Sequence, residues 1–195
     1  MAQIIDFPMA KIFQLKISLK EVDPMIWRTI QVSSMVKLPE LHKILQTTMG
    51  WTNSHLHQFI IESKLYAEPD EDSSLDDIDY TNIILGQVLT QEDQNIIYEY
   101  DFGDGWEHVI TLEKIITEKP QKYPSCLNGK RNCPPEDCGG PYGYMDLQSV
   151  IANPEHEEYE DMIEWLGDDF DPEYFDLGEI NKLLKKKDYG CITMI

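Results

Sequence analysis

Arginine is almost missing from this chain of 195 residues: Arg28 and Arg131 are all it has, and lysine and arginine together number 16 against 36 acids. Proteins that read nucleic acid neutralise phosphates with basic side chains and contact base edges with bidentate arginine. At a formal net charge of −20, the chain is repelled by DNA and RNA in most orientations, so no direct nucleic-acid binding is expected. Long apolar runs are missing as well. No stretch reaches the roughly 18–20 apolar residues of a membrane helix, and the first eleven residues show neither the basic nor the apolar part of a secretory signal. The expectation is a cytoplasmic protein with no membrane partner. Cysteine is scarce: Cys126, Cys133, Cys138 and Cys191 are expected as thiols or metal ligands rather than disulfides in a reducing compartment. No nucleophile elbow, phosphate loop, dinucleotide fingerprint or His-Glu-x-x-His occurs, so the sequence carries no catalytic signature of those kinds.

What is present is strand and helix periodicity. Residues 12–19 alternate apolar and polar side chains, and after a turn at 21–24 residues 26–32 read as the returning strand of a hairpin. Pro39-Glu40 opens a helix that runs to Met49 with apolar residues at helical spacing, and Gly50 ends it. Residues 55–61 read as another strand. Residues 67–79 hold seven acids but lack the central glycine and terminal glutamate of a calcium loop, so an exposed loop is expected. Asn95–Asp101 and Trp106–Ile116 flank Asp104-Gly105, a strong hairpin signal. Residues 119–143, with five prolines and three cysteines, predict a long irregular segment of functional kind. Helices follow around Leu147–Ile151, Tyr159–Leu166 and Leu177–Leu184, separated at Asn153-Pro154 and Asp171-Pro172.

Three groups carry the candidate chemistry. Asp101-Phe-Gly matches the kinase magnesium tripeptide, but the rest of the kinase set is absent. A two-residue turn at Asp104-Gly105 would put Asp101 opposite His108, where a carboxylate could orient an imidazole. His55 and His57 fall on one face of their expected strand, where side chains repeat every two residues; two imidazoles there could chelate a metal, with His108 or Asp101 as a third ligand. Cys126, Cys133 and Cys138 offer three thiols, of which the last pair alone has zinc spacing; a fourth ligand would have to come from elsewhere, with His108 the one candidate. The expectation there is packed thiols, or a Cys133–Cys138 disulfide after air oxidation.

Several strings together resemble one family: Leu41-His42, Met49-Gly50-Trp51 and His55-Leu-His57; Tyr98-Glu-Tyr-Asp-Phe-Gly-Asp-Gly-Trp-Glu-His108; Tyr123-Pro-Ser-Cys126; Cys133-Pro-Pro-Glu-Asp-Cys138-Gly-Gly-Pro-Tyr-Gly-Tyr144; and Phe170-Asp-Pro-Glu. They look like the Ri-plasmid third-open-reading-frame family, some of whose members are labelled insertion-sequence passenger proteins of the TnpR type. The resemblance covers about residues 12–184. It implies an α+β domain of bacteria and archaea, often carried near mobile elements, and it assigns no reaction. The TnpR label suggests a resolvase, but neither a serine- nor a tyrosine-recombinase catalytic set can be placed here.

The resulting expectation is a single α+β domain over residues 1–195. A curved, mainly antiparallel sheet crossed by the 39–49 helix occupies 12–117, a Cys/Pro/Gly-rich loop 118–143, and three helices 144–187. The first functional expectation is a non-enzymatic binding or adaptor module with a protein partner and no cofactor. Its surface would be formed by Trp51, His55, His57, Asp101, Asp104, Trp106 and His108. The alternative is a metal-dependent, hydrolase-like enzyme in which His55, His57, Asp101 and His108 hold zinc or another divalent ion.

Overall fold

A computed structural model describes residues 10–69, 77–117, 124–167 and 170–192. Alternating side chains build its centre. β1 (Ile12–Leu19) pairs antiparallel with β2 (Trp27–Ser33), and Phe13, Leu15, Ile17, Ile30 and Val32 all turn to one buried face. α1 (Leu38–Met49) lays Leu38, Leu41, Ile44, Leu45 and Met49 into the same core. Glu40 accepts from the backbone N–H of Lys37 (3.0 Å) at the start of α1, and Gly50, at φ 115°, closes its end.

β3 (His57–Ile61) and β4 (Lys64–Ala67) form a second hairpin, and the two-residue β5 (Ile78–Asp79) joins β4 in parallel. After α2 (Leu85–Val88), β6 (Asn95–Tyr100) and β7 (Trp106–Ile116) form the long central hairpin. β8 (Ser125–Lys130) then adds to the free edge of β2. The sheet is open, has eight strands in the order β5-β4-β3-β6-β7-β1-β2-β8, and is antiparallel apart from the β4–β5 pair. One face is covered by α1 and the other is polar and partly solvated, the arrangement antiparallel sheets allow.

Three helices follow as expected: α3 (Gly140–Ile151), α4 (Tyr159–Leu166) and α5 (Leu177–Leu183), with a 3₁₀ turn at Lys187–Gly190. Among the described residues no helix is long and apolar enough to cross a membrane.

Two expectations need correction. The Cys/Pro/Gly segment is not irregular throughout, since β8 lies inside it and the sheet therefore continues past residue 117. Its Cys-Leu-Asn-Gly sequence shows no clean alternation because it is an edge strand whose packing is set by tertiary neighbours. Gly129 lies where an added Cβ would meet the Phe175 ring at 2.6 Å and the Arg28 side chain at 2.7 Å. The acidic stretch 67–79 is also not all loop, as β5 occupies its last two residues, while 70–76 lie outside the described residues.

Arg28 joins these parts. It is 2% exposed and has a full set of carbonyl acceptors: Thr48 at Nε, Trp27 and Lys130 at Nη1, Met49 and Arg131 at Nη2. All five guanidinium N–H directions are used. Thr48 and Met49 are the last residues of α1, where a positive charge complements the helix dipole. One of the two arginines in the chain thus fastens the helix end to β2 and to the segment after β8.

Candidate functional site

The central hairpin turns differently from the expected Asp104-Gly105 turn. Tyr98 faces His108 and Tyr100 faces Trp106, so the loop is the five residues 101–105. Asp101 begins it at φ 58°; its carbonyl accepts from Gly105 N–H and its Oδ1 from the N–H of Gly103 and Asp104 (2.6, 2.9 and 3.3 Å). A side chain that caps its own loop in this way displaces the tighter turn, as aspartate commonly does. Asp101 and His108 are therefore not a cross-strand pair.

His108 points into the core instead. It is fully buried, accepts from Trp51 Nε1 at Nε2 (3.0 Å), and donates from Nδ1 toward the Trp106 and Tyr98 carbonyls (3.0 and 3.2 Å). Burial pushes its pKa down to about 4, so it is neutral at pH 7. Trp51 and Trp106 are buried beside it, 5.4 Å apart as ring centroids. These three residues were expected on a binding surface; all three are buried in the core instead. The reason is the pleat, which sends Tyr98, Tyr100, Trp106 and His108 to the same face as the aliphatic core.

His55 and His57 also part company. β3 starts at His57, so His55 sits in the preceding bend and the period-two argument does not reach it. The His57 ring stacks on His42 at 3.5 Å and 3°, with its Nε2 2.9 Å from the Tyr80 hydroxyl. His42 closes a chain of hydrogen bonds. Gln46 Nε2 donates to the Tyr98 hydroxyl (2.8 Å), that hydroxyl donates to His42 Nδ1 (2.8 Å), and His42 Nε2 donates to Asn53 Oδ1 (3.0 Å). Asn53 Nδ2 ends the chain on the Ile192 carbonyl (2.9 Å). Burial lowers the pKa of His42 to about 4 and, with His42 as neighbour, that of His57 to about 2. Both stacked imidazoles are therefore neutral at pH 7.

His55 is the exception among these rings. Its Nε2 is buried and has no hydrogen-bond partner, yet it lies 3.3 Å from Asp137 Oδ1, 3.6 Å from Asp101 Oδ2 and 3.8 Å from Glu136 Oε2. Glu136 Oε2 is likewise buried and unpartnered, while its Oε1 accepts from Thr52 N–H, the Thr52 hydroxyl and the Tyr100 hydroxyl (2.8, 2.8 and 3.0 Å). Among the described residues, His55, Asp101 and Asp137 are the one group of three or more metal-ligating side chains with converging atoms. Sequence reasoning named His55 and Asp101 but missed Glu136 and Asp137, which lie between Cys133 and Cys138. The signal was their place inside a motif string, Pro-Pro-Glu-Asp-Cys, beside the thiols.

The contact between Asp104 and the two glycines opening α3 brings Asp137 to this place. Asp104 Oδ2 accepts from Gly139 N–H (3.1 Å), and at Gly140, φ 70°, an added Cβ would lie 2.3 Å from the Asp104 carbonyl. Glycine is required there by both conformation and space. The 101–105 loop thus docks on the 137–140 turn, and Asp104 positions the cluster rather than facing a ligand.

The thiols do not converge. All four cysteines are free; Cys126 and Cys133 are buried and Cys138 is half-buried. Cys133 packs against Gly50, and Cys126 Sγ donates to the Asn128 carbonyl (3.5 Å). Burial raises the Cys126 pKa to about 11, that of Cys138 to about 12 and that of Cys133 well above the ordinary thiol value, so all three are protonated at neutral pH. His108, the expected fourth zinc ligand, has both nitrogens engaged in the core. Tyr144 is buried in the core, whereas Tyr142 is exposed and Tyr123 lies outside the described residues.

Two clefts flank the His55 cluster. One, of about 460 Å³, is lined by His42, His55, His57, Tyr80 and the exposed Leu56 and Phe102. The other, of about 370 Å³, runs between the 137–138 turn, α3 and α4; Asp137, Asp146, Glu158 and Asp161 line it together with Met162 and Trp165.

The molecule is thus an α+β protein with an open, mostly antiparallel sheet and a histidine–carboxylate pocket at the loop end of its central hairpin. The chain belongs to the plasmid pRiA4b ORF-3-like family, whose model matches residues 11–179. It is 37% identical over 175 residues to the uncharacterized protein y4hQ of Sinorhizobium fredii, covering 89% of this chain and 90% of that one. The crystal structure of a protein of unknown function, MM3350 from Methanosarcina mazei Go1, shares 39% identity and a TM-score of 0.80, over 88% of this chain and 98% of that one. The family and fold expected from the sequence are borne out, and the relatives' descriptions name no reaction or ligand.

Proposed function

We propose that the chain is a non-enzymatic binding module that takes a basic polypeptide segment into the groove between the 137–138 turn, α3 and α4. One observation carries this reading. Four carboxylates line the groove, no lysine or arginine is among its described lining residues, and Trp165 stands on it 52% exposed. A lysine or arginine side chain fits such a groove atom by atom. Its aliphatic stem would lie on Leu147 and Met162, its charged head among Asp137, Asp146, Glu158 and Asp161, and the Trp165 ring would offer its face to the cation. The net charge of −20 steers a basic partner toward the chain and turns nucleic acid away.

The test is fluorescence anisotropy with a labelled lysine/arginine-rich peptide and its glutamate counterpart. The basic peptide should bind, more weakly as salt rises, and the acidic one should not. Trp165→Ala should weaken binding about 2- to 5-fold, the value of an exposed cation–π contact, and Asp146→Asn with Asp161→Asn should weaken it further at low salt. Duplex DNA should bind no tighter than the about 10⁻⁴–10⁻⁶ M of non-specific association. Equal binding of both peptides, or unchanged affinity in both variants, would remove this reading. A second reading, metal-dependent chemistry, is favoured by the unpartnered Nε2 of His55 among its carboxylates.

A further inference from the structure

We propose that His55 Nε2, Asp101 Oδ2 and Asp137 Oδ1 form a three-ligand site for a divalent transition-metal ion, with Glu136 Oε2 placed to complete or support it. This site is separate from the peptide groove apart from the shared Asp137, and it does not depend on that groove's being a binding surface.

The distances speak first. A good N–H···O hydrogen bond spans about 2.7–3.2 Å, and His55 Nε2 lies farther than that from each of its three carboxylate neighbours, at 3.3, 3.6 and 3.8 Å. Ligand atoms held about 2.0–2.2 Å from a tetrahedral ion are about 3.3–3.6 Å from one another. The spacings to Asp137 and Asp101 fall within that range, and the spacing to Glu136 lies just beyond it.

Burial speaks second. The Nε2 atom of His55 and the Oε2 atom of Glu136 are both buried and unpartnered, where a polar atom ordinarily finds a partner or a bound ion. Asp101, 7% exposed, directs Oδ2 at the same point while its Oδ1 is used by its own loop. Asp101 and Asp137 bring two carboxylates together at this point, and the two balance the charge of a divalent ion beside the imidazole. One imidazole and two carboxylates suit borderline to hard ions such as Zn²⁺ or Mn²⁺ rather than thiolate-seeking ones.

The supports speak third. Thr52 and Tyr100 hold Glu136 through its other oxygen, Ser54 N–H donates to the Tyr100 hydroxyl (2.9 Å), and Leu56 O accepts from Asp101 N–H (2.9 Å). The bend carrying His55 is thereby tied to both neighbouring ligands, the outer-shell orientation metal sites require. Three protein ligands leave a coordination position free for water or a bound ligand, next to the cleft that His55 also lines.

The experiment is equilibrium dialysis of the whole chain against Zn²⁺ and, separately, Mn²⁺, followed by metal analysis, with Co²⁺ titration as a spectroscopic check. The expected result is about one ion retained per chain after exhaustive dialysis and a visible Co²⁺ band typical of low coordination number. Both should be lost in His55→Ala and weakened at least tenfold in Asp137→Asn. The Asp137 side chain is 74% exposed, so that variant folds and reads the site even if His55→Ala does not. Glu157→Gln, an exposed acid elsewhere on the surface, should retain the ion as the unaltered chain does. Retention of the same amount in Asp137→Asn, or no ion retained by the unaltered chain with either metal, overturns the proposal.

Discussion

Two regions of this molecule place histidine among polar groups, and they treat it in opposite ways. At the sheet–helix interface, His42 and His108 have both ring nitrogens engaged, and His57 is stacked on His42 with a tyrosine hydroxyl at Nε2. Burial holds all three neutral. In the pocket a few residues away, His55 keeps a buried nitrogen without a partner, surrounded by carboxylates. The first arrangement closes on itself and stabilises a fold; the second is incomplete and leaves room for chemistry. Histidines two residues apart in the sequence belong to different regions, and completion of the hydrogen-bond network is what distinguishes them here.

The sharpest way to break the comparison is acid. For His42 and His108 the folded pKa, about 4, lies below the unfolded value of about 6.5. Between those values the unfolded chain binds more protons, so stability rises with pH across the window and is lost as pH falls through it. The contribution is fully present above pH 6.5. Each histidine costs about 1.4 kcal/mol per pH unit of descent, and His57, lowered to about 2, extends the loss to lower pH. Urea denaturation midpoints should therefore fall steeply from pH 7 to pH 4.5; a flat profile would mean that these rings are not held neutral.

A smaller effect comes from the hub of the closed network. Tyr98→Phe removes the hydroxyl shared by His42 and Gln46 and leaves two buried groups unpaired. The expected cost is about 2–4 kcal/mol, from about 1–2 kcal/mol for each orphaned group, read as a lower midpoint in the same assay. Smallest of all is the matching change in the pocket. Asp137→Asn should alter stability by less than about 0.5 kcal/mol, as for an ordinary surface substitution, or raise it slightly by relieving repulsion. A loss as large as that of Tyr98→Phe would show that the pocket, too, is part of the folding core.

Much of the architecture was legible in the residues. β1 announces itself by alternation, β2, β6 and β7 by strand-type runs beside turn signals, and α1 by its proline, its acid in the first turn and its terminal glycine. The strands without such a signal, β4, β5 and β8, are short or at edges, where neighbours rather than periodicity decide pairing. In the pocket, His55 and Asp101 were visible as residue types suited to ligation. Their assumed companions His57 and His108 were wrong because the turn takes five residues instead of two and because β3 begins two residues late.

The sequence by itself determined the α+β class, the family and the net negative charge, since alternation, composition and long motif strings are local properties of the chain. The tertiary structure alone decided which groups meet. Asp137 reaches His55 because the 101–105 loop seats on Gly139 and Gly140, and His108 is withdrawn because the pleat turns it toward Trp51. The physical reason is that convergence depends on distances between segments some 35 to 80 residues apart, set by packing and loop geometry that no local pattern encodes.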